Sequence, residues 1–129
     1  MKVIYGIKGN LMKVQSGKAK GRRLQQLVRD AILDMFPELE PDDCRSTAMG
    51  SSGEDIQLSP KARATIPISV ECKARKSFKT FYDFYEQARG QGKGEPVVVI
   101  KQDRAKPLAL VDMQFLLKLL RDSYEHNKV

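Results

Sequence analysis

The sequence predicts an α/β fold with a mixed β-sheet flanked by helices, and three features lead to this prediction. Residues 22–36 carry apolar side chains at helical spacing and stop at Pro37, which is typical of an amphipathic helix. Residues 66–73 alternate apolar and polar side chains, as a strand with one buried face does. Two apolar runs, at 96–101 and 107–111, lie between two further helical patterns. The predicted order is helix, three strands, helix, two strands, helix.

In the first half, the helix at 22–36 leads through an acidic connection into a short strand at 45–48 and a turn of small residues at 50–53. A strand at 56–58 and the strand at 66–73 are expected to form a hairpin through a turn at 59–63. This hairpin would bring Asp55 close to Glu71.

In the second half, a helix is predicted over 77–89. We assign its aromatic stripe to the core, and this stripe consists of Phe78, Phe81, Tyr82, Tyr85 and Ala88. The glycine-rich run at 90–94 lacks the spacing of a phosphate-binding loop and predicts a turn. Two strands follow around a basic turn, and Asp112 is expected to cap a last helix that ends near Tyr124. The stripe that we expect to be buried in this last helix consists of Leu116, Leu119 and Leu120.

The net charge of +7 is unevenly distributed. Residues 1–23 contain 7 basic and no acidic side chains, whereas the remaining 106 residues contain 16 of each. We interpret residues 1–20 as a basic arm and residues 21–129 as one domain. A basic segment beside a neutral domain indicates a polyanionic partner, with nucleic acid as the expected one. A solvated tail that only aids solubility is the alternative.

The composition excludes several classes of site. Cys44 and Cys72 are far apart and neither belongs to a CxxC pair, and His126 is the one histidine of the sequence. Zinc sites and Cys/His nucleophilic pairs therefore lack their ligands and bases. No apolar run is long enough to span a bilayer and no leader is recognised, so we expect a cytoplasmic protein with no membrane partner.

The candidate site combines Gly53-Glu54-Asp55-Ile56 with the strand at 66–73. Alternation sends Glu71 and Lys73 to one face of that strand. Carboxylates from Asp55 and Glu71 are the oxygen ligands that Mg²⁺ prefers, and Lys73 would position a water or neutralise charge on a phosphate. The Glu-x-Lys pattern alone is weak evidence, and a solvated Glu71–Lys73 ion pair on an exposed face is the alternative.

The acid before the hairpin and Glu71-Cys72-Lys73 on the next strand resemble the PD-(D/E)XK nuclease superfamily, and within it archaeal-type Holliday junction resolvases and small phage resolvase-like endonucleases. The likeness runs from Lys20 onward. Lys20-Gly21 with Gln25 resembles the first-helix motif of these nucleases, and residues 45–51 resemble their mobile loop. The resemblance implies a restriction-endonuclease-like core, so that 21–129 would be a single nuclease-like domain.

The resemblance also implies an activity: phosphodiester hydrolysis in branched DNA, dependent on Mg²⁺ or Mn²⁺, by a homodimer that serves DNA recombination. The compartment would be the cytoplasm of a bacterial host if the chain is phage-encoded. By position, Asp55 and Glu71 would be metal ligands, the Cys72 backbone carbonyl a further ligand, and Lys73 the catalytic lysine. Gln87 stands where related nucleases place a supporting glutamine.

One position departs from the family, because its first-helix glutamate falls at Gln25. An amide oxygen can contact a metal or its water but brings no negative charge, so we expect either weaker metal affinity or compensation by Glu54 as a metal ligand. The alternatives are an exposed helix residue for Gln25 and a solvated turn acid for Glu54. DNA contacts are expected at the basic and hydroxyl side chains of Lys18, Lys20, Arg22, Arg23, Arg45, Ser51, Ser52, Arg75 and Lys76.

Three functions remain open at this point. The first is a structure-selective endonuclease, and the second is a DNA-binding module on a nuclease fold that does not cut, which the departure at Gln25 favours. The third is a general or nicking endonuclease without preference for junctions. Divalent metal would bind near Asp55 under the first and third functions but not under the second.

Overall fold

The computed structural model describes residues 17–48 and 53–128. Over these ranges the fold is mixed α/β, with four helices and two small antiparallel sheets, β1–β2 and β3–β4. The α/β class is therefore confirmed, whereas the strands of the described ranges form two separate sheets instead of one mixed sheet. The helices are α1 (Gly17–Met35), α2 (Pro60–Thr65), α3 (Lys79–Arg89) and α4 (Met113–Asn127), with a 3-10 turn at Pro41–Asp43. The strands are β1 (Cys44–Ser46), β2 (Ile56–Leu58), β3 (Val97–Ile100) and β4 (Leu108–Val111).

Helix α1 forms one wall of the hydrophobic core. It begins at Gly17, earlier than predicted, so that Lys18 and Lys20 of the predicted arm belong to this helix. Val28 and Ile32 lie one turn apart on its inner face and are buried, and Phe36 directly after the helix is fully buried. None of the described helices is both long and apolar enough to cross a membrane.

Helix α2 occupies residues where the sequence predicted a turn. The Ser59 hydroxyl accepts a hydrogen bond from the Ala62 N–H at 3.1 Å, and Pro60 stands at the first helical position, where its missing N–H costs nothing. The Ser59 hydroxyl also donates to the Asp43 carboxylate at 2.7 Å. Ala62 is fully buried, so the short helix is attached both to the core and to the 3-10 turn.

The segment 66–75 confirms the predicted alternation but not the predicted pairing. Pro67, Ser69, Glu71 and Lys73 are exposed, while the intervening side chains face inward, as in an extended segment. The segment belongs to neither sheet. Strand β2 pairs with β1 instead, and helix α2 lies between β2 and residue 66. The expected β2 hairpin is therefore wrong. The side chains that pack on the core are those of Ile66, Ile68, Val70 and Cys72.

Helix α3 and the β3–β4 sheet contain no buried residue. Their positions agree with the predicted helix and strands, but the assignment of the aromatic stripe to the core is wrong. Phe81 is exposed and the side chain of Tyr82 is 66% exposed. The stripe instead lines an open groove of about 430 Å³, whose other walls include Leu24 and Leu27 of α1 and Leu110 of β4.

Helix α4 starts as predicted, with the Asp112 carboxylate accepting a hydrogen bond from the Phe115 N–H at 2.9 Å. Its inner face differs from the prediction, because Leu116 and Leu119 are exposed and Leu117 is 2% exposed. Two neighbouring stripes of this helix are both apolar, so periodicity could not select the inner one. The side chains that pack in the core or against it are those of Met113, Leu117, Leu120 and Tyr124.

Candidate active site

Asp55 lies at the start of β2, where three segments of the chain meet. Its N–H donates to the Val70 carbonyl at 3.2 Å, and its own carbonyl accepts from the Thr47 N–H at 2.8 Å. Its carboxylate oxygen Oδ2 accepts from the Cys72 N–H at 2.5 Å. Asp55 is thus held between the end of β1 and the extended segment 66–75. Its carboxylate lies next to the peptide unit that joins Glu71 to Cys72.

The carboxylates of Asp55 and Glu71 both affect the Cys72 thiol. Burial, and after it the negative charges of Asp55 and Glu71, raises the pKa of the Cys72 thiol to about 11. In an extended segment the N–H and C=O of one residue point toward the same edge. The Cys72 carbonyl therefore faces the side on which the Asp55 carboxylate lies.

Glu71 and Lys73 project from the exposed side of the segment. The Lys73 ammonium lies 3.1 Å from Glu71 Oε2, and the two side chains are 66% and 62% exposed. An ion pair this open to water contributes about 0–1 kcal/mol, so that either partner can leave it at little cost. The pair has the geometry of the solvated-pair alternative.

Glu54 is held by contacts with Thr47, which precedes it in the sequence, and with Arg63, which follows it. Its Oε1 forms an ion pair with the Arg63 guanidinium of α2, and its backbone carbonyl accepts from the Thr47 hydroxyl. The Ser69 hydroxyl, followed by Arg63, lowers the pKa of the Glu54 carboxyl. Its Oε2 is buried and has no hydrogen-bond partner among the described residues. Glu54 is therefore more than a solvated turn acid.

Gln25 is 5% exposed and lies on the inner stripe of α1, together with Val28 and Ile32. The alternative of an exposed helix residue is wrong. Its Oε1 is buried without a hydrogen-bond partner in the part of the chain that the structure describes. An unsatisfied buried acceptor costs about 1–3 kcal/mol, so its presence calls for an explanation such as a bound water or cation.

The basic residues predicted to contact DNA belong to three parts of the chain. Lys18, Arg22 and Arg23 are exposed near the start of α1, and Lys20 beside them is half-buried. Arg45 on β1 is exposed and pairs with Asp42 at 3.2 Å. Helix α1 therefore carries most of the basic side chains that were predicted from the sequence.

Two further basic residues predicted to contact DNA follow Lys73 in the sequence. Arg75 is exposed and holds its guanidinium 5.4 Å from the centre of the Phe78 ring, and Lys76 is exposed beside it. Gln87, the predicted supporting glutamine, is exposed on α3. The predicted contacts Ser51 and Ser52 lie outside the described residues.

The donor atoms around Asp55 fit a hard divalent cation. They are the carboxylates of Asp55 and Glu71 and the Cys72 carbonyl, and oxygen ligands of this kind suit Mg²⁺ and Mn²⁺. Gln25 Oε1 and Glu54 Oε2 are buried acceptors as well, each without a described partner, but no contact joins either of them to Asp55 among the described residues. Within the described ranges, no three Asp, Glu, His or Cys side chains already stand close enough to form a metal-binding group.

Two residues that support the site were missed in the sequence. Thr47 is buried and holds Glu54 through its hydroxyl and Asp55 through its N–H. Arg63 is brought to Glu54 by helix α2. The Ser59-Pro60 start signal would have predicted this helix and with it the place of Arg63. No comparable signal marks Thr47.

No protein-family model, no curated protein and no solved structure matches this chain. A function is therefore inferred from the contacts around Asp55 and from the distribution of charge.

Proposed function

We propose that this protein is a Mg²⁺-dependent endodeoxyribonuclease of the PD-(D/E)XK type, with a restriction-endonuclease-like core, and that it cuts branched DNA in the manner of a Holliday junction resolvase. The observation that carries the proposal is the 2.5 Å hydrogen bond from the Cys72 N–H to the Asp55 carboxylate. This bond connects the Asp55 carboxylate to the peptide unit between Glu71 and Cys72. The Glu71 side chain supplies a second carboxylate, which pairs with the Lys73 ammonium.

Asp55, Glu71 and the Cys72 carbonyl would hold the cation, for which Mn²⁺ is the expected substitute. When bound, the cation polarises a phosphate oxygen and makes a bound water more acidic. Lys73 is a compact charge with three donors, and it can leave its weak pair with Glu71 to donate to the attacking water or to a phosphate oxygen. The Cys72 N–H keeps the Asp55 carboxylate oriented throughout.

Binding of DNA would use the basic side chains of α1 and those that follow Lys73 in the sequence. The basic side chains at the start of α1 contact phosphates without reading sequence, and Arg75 and Lys76 extend the contact from the catalytic lysine. Two copies of the chain, one for each strand to be cut, would match the symmetry of a junction. A role in DNA recombination, in the cytoplasm of a bacterial host if phage-encoded, is part of the same proposal.

A second candidate is a DNA-binding module that does not cut. It is favoured by the pairing of carboxylates with cations of the protein itself, because Glu71 pairs with Lys73 and Glu54 with Arg63. The amide at Gln25 in place of an acid supports it further. Under this function divalent cations would leave both the site and DNA affinity unchanged.

Cleavage of labelled DNA separates these functions. Four-way junction, nicked, single-stranded and linear duplex DNA are incubated with Mg²⁺, with Mn²⁺ or with EDTA. We expect symmetric cutting of the junction that EDTA abolishes. We expect Glu71→Gln to slow cutting by at least about 100-fold while junction binding is retained, since loss of a catalytic group has effects of this size. Glu86→Gln, which removes an exposed acid of α3 that pairs with Arg89, is the matched control.

The other outcomes are equally informative. Equal cutting of all four substrates would indicate a general or nicking endonuclease. Pure protein that binds the junction and cuts nothing would favour the binding module. Full activity of Glu71→Gln would refute the assignment of the site.

A further inference from the structure

We propose that Arg63 is a positioning residue that withholds Glu54 from the cation and thereby sets the cation affinity of the site. This inference rests on the proposed function, because it concerns the same site. Glu54 directly precedes Asp55 in the sequence, so its carboxylate is one that a cation at Asp55 could recruit. In the structure its Oε1 is engaged by the Arg63 guanidinium instead.

Arg63 approaches Glu54 from a firmly attached support. Helix α2 is capped by Ser59, whose hydroxyl also donates to Asp43 at 2.7 Å. Ala62 precedes Arg63 and is fully buried, and Ile66 after the helix is fully buried as well. The side chains of Arg63 and Glu54 are 41% and 33% exposed, against 66% and 62% for Lys73 and Glu71, so water screens the first pair less. The two ion pairs of the site thus differ in how easily they open.

The backbone of Glu54 is fixed independently of Arg63. Its carbonyl accepts from the buried Thr47 hydroxyl, and the next residue, Asp55, bonds to Thr47 and Val70 through its peptide groups. Loss of the Arg63 guanidinium would therefore leave the peptide of Glu54 in place, with the neutral Ser69 hydroxyl as the remaining group on its carboxylate. The negative charge of Glu54 would then no longer be balanced by a guanidinium.

The consequence concerns the charge offered to a cation. With Arg63 present, Glu54 is neutralised locally, and Asp55 and Glu71 provide the negative charge. Without it, a third carboxylate becomes available and one nearby positive charge is lost. Both changes attract a divalent cation, since Coulomb energies add near a partly buried site. We expect Arg63→Gln to bind Mg²⁺ about three- to tenfold more tightly than the wild type.

The test is a calorimetric Mg²⁺ titration of the DNA-free protein, with five variants that separate charge from structure. Arg63→Gln should bind more tightly, and Arg63→Lys, which keeps the charge, should stay close to the wild type. In the Glu54→Gln background, Arg63→Gln should have less than about twofold effect, because the carboxylate through which it acts is gone. Arg89→Gln removes an exposed arginine paired with Glu86 and is the matched control, with no expected effect.

The Cys72 amide resonance reports on the site without any metal, because this N–H donates to Asp55. We expect its chemical shift to be unchanged in Arg63→Gln. Unchanged or weaker Mg²⁺ binding by Arg63→Gln, or a shifted Cys72 amide, would overturn the inference while leaving the proposed function in place. A wild type that neither binds Mg²⁺ nor cuts any DNA would instead refute the proposed function itself, and the inference with it.

Discussion

The region before residue 73 and the region after it bury their apolar side chains to very different extents. Among the described residues, every buried hydrophobic side chain except that of Leu117 lies between Val28 and Ile66. The large hydrophobic side chains that stay exposed all lie between Phe81 and Leu119. The first region is therefore a close-packed scaffold, and the residues around Asp55 are attached to it. The second region adds helices and a sheet whose apolar surface is only partly covered.

The difference shows where rigidity is available for a site. Asp55 and Glu54 are held by Thr47 and by the segment that follows α2, all of which adjoin the core. By contrast, a two-stranded sheet such as β3–β4 is marginal alone and depends on the elements packed against it. Gln87 belongs to this second region and is exposed on α3. The first region therefore offers the firmer support for a site.

The largest expected effect comes from the first region. Phe36→Ala removes a fully buried ring that contacts Tyr124 edge-on at 6.4 Å, and should lower the free energy of unfolding by about 3–5 kcal/mol. Phe84→Ala makes the same chemical change on α3, where the side chain is 41% exposed, and should cost about 1 kcal/mol or less. Urea denaturation measures both. Equal losses would contradict the division into a packed and an open region.

A smaller effect is expected where the two regions are joined. Arg121 of α4 pairs with Glu38 at 2.5 Å and lies 5.4 Å from the Phe36 ring centre and 5.6 Å from that of Tyr124. Arg121→Met should cost about 1–2 kcal/mol, since it removes a partly buried ion pair and two cation–π contacts. Arg89→Met, whose arginine pairs with Glu86 on the exposed face of α3, should cost about 0.5 kcal/mol or less. If Arg121→Met lowered the free energy of unfolding no more than Arg89→Met, the contacts of Arg121 would not be what attaches α4 to the first region.

Sequence patterns predicted the elements better than their partners. The periodicity of residues 22–36 and the alternation of 66–73 identified a helix and an inward-facing row correctly, because both depend on local geometry. The pairing of β2 with β1 could not be read, since hydrogen-bond partners depend on the path of the chain between strands. For α4 the inner stripe was misjudged, because Leu116 and Leu117 are equally apolar and only packing distinguishes them.

The site was predictable only in part, for a similar physical reason. Asp55, Glu71 and Lys73 follow from residue types and alternation, which a sequence displays directly. The burial of Gln25 follows from the stripe that it shares with Val28 and Ile32 and was available in the pattern. The restraint on Glu54 depends on a contact across α2, which alternation and composition do not encode.

The smallest expected effect is the pH dependence of the contact between Arg121 and Glu38, which links the two regions. The hydrogen bond from Arg121 is the main cause that lowers the pKa of Glu38 below its ordinary value of 4.5. A carboxyl whose pKa is lower in the folded state stabilises the fold above pH 4.5, and this stabilisation is lost as the pH falls through the folded-state pKa. The difference in unfolding free energy between the wild type and Arg121→Met should therefore be constant near neutral pH and shrink below pH 4.5. Asp43 and Glu54 also have lowered pKa values, but both variants share them, so that subtraction leaves the two carboxylates that pair with Arg121, Glu38 and Glu125. Urea denaturation between pH 3 and pH 7 measures this difference, and one that stays constant with pH would mean that packing of Arg121 on the two rings, rather than its charge, joins the regions.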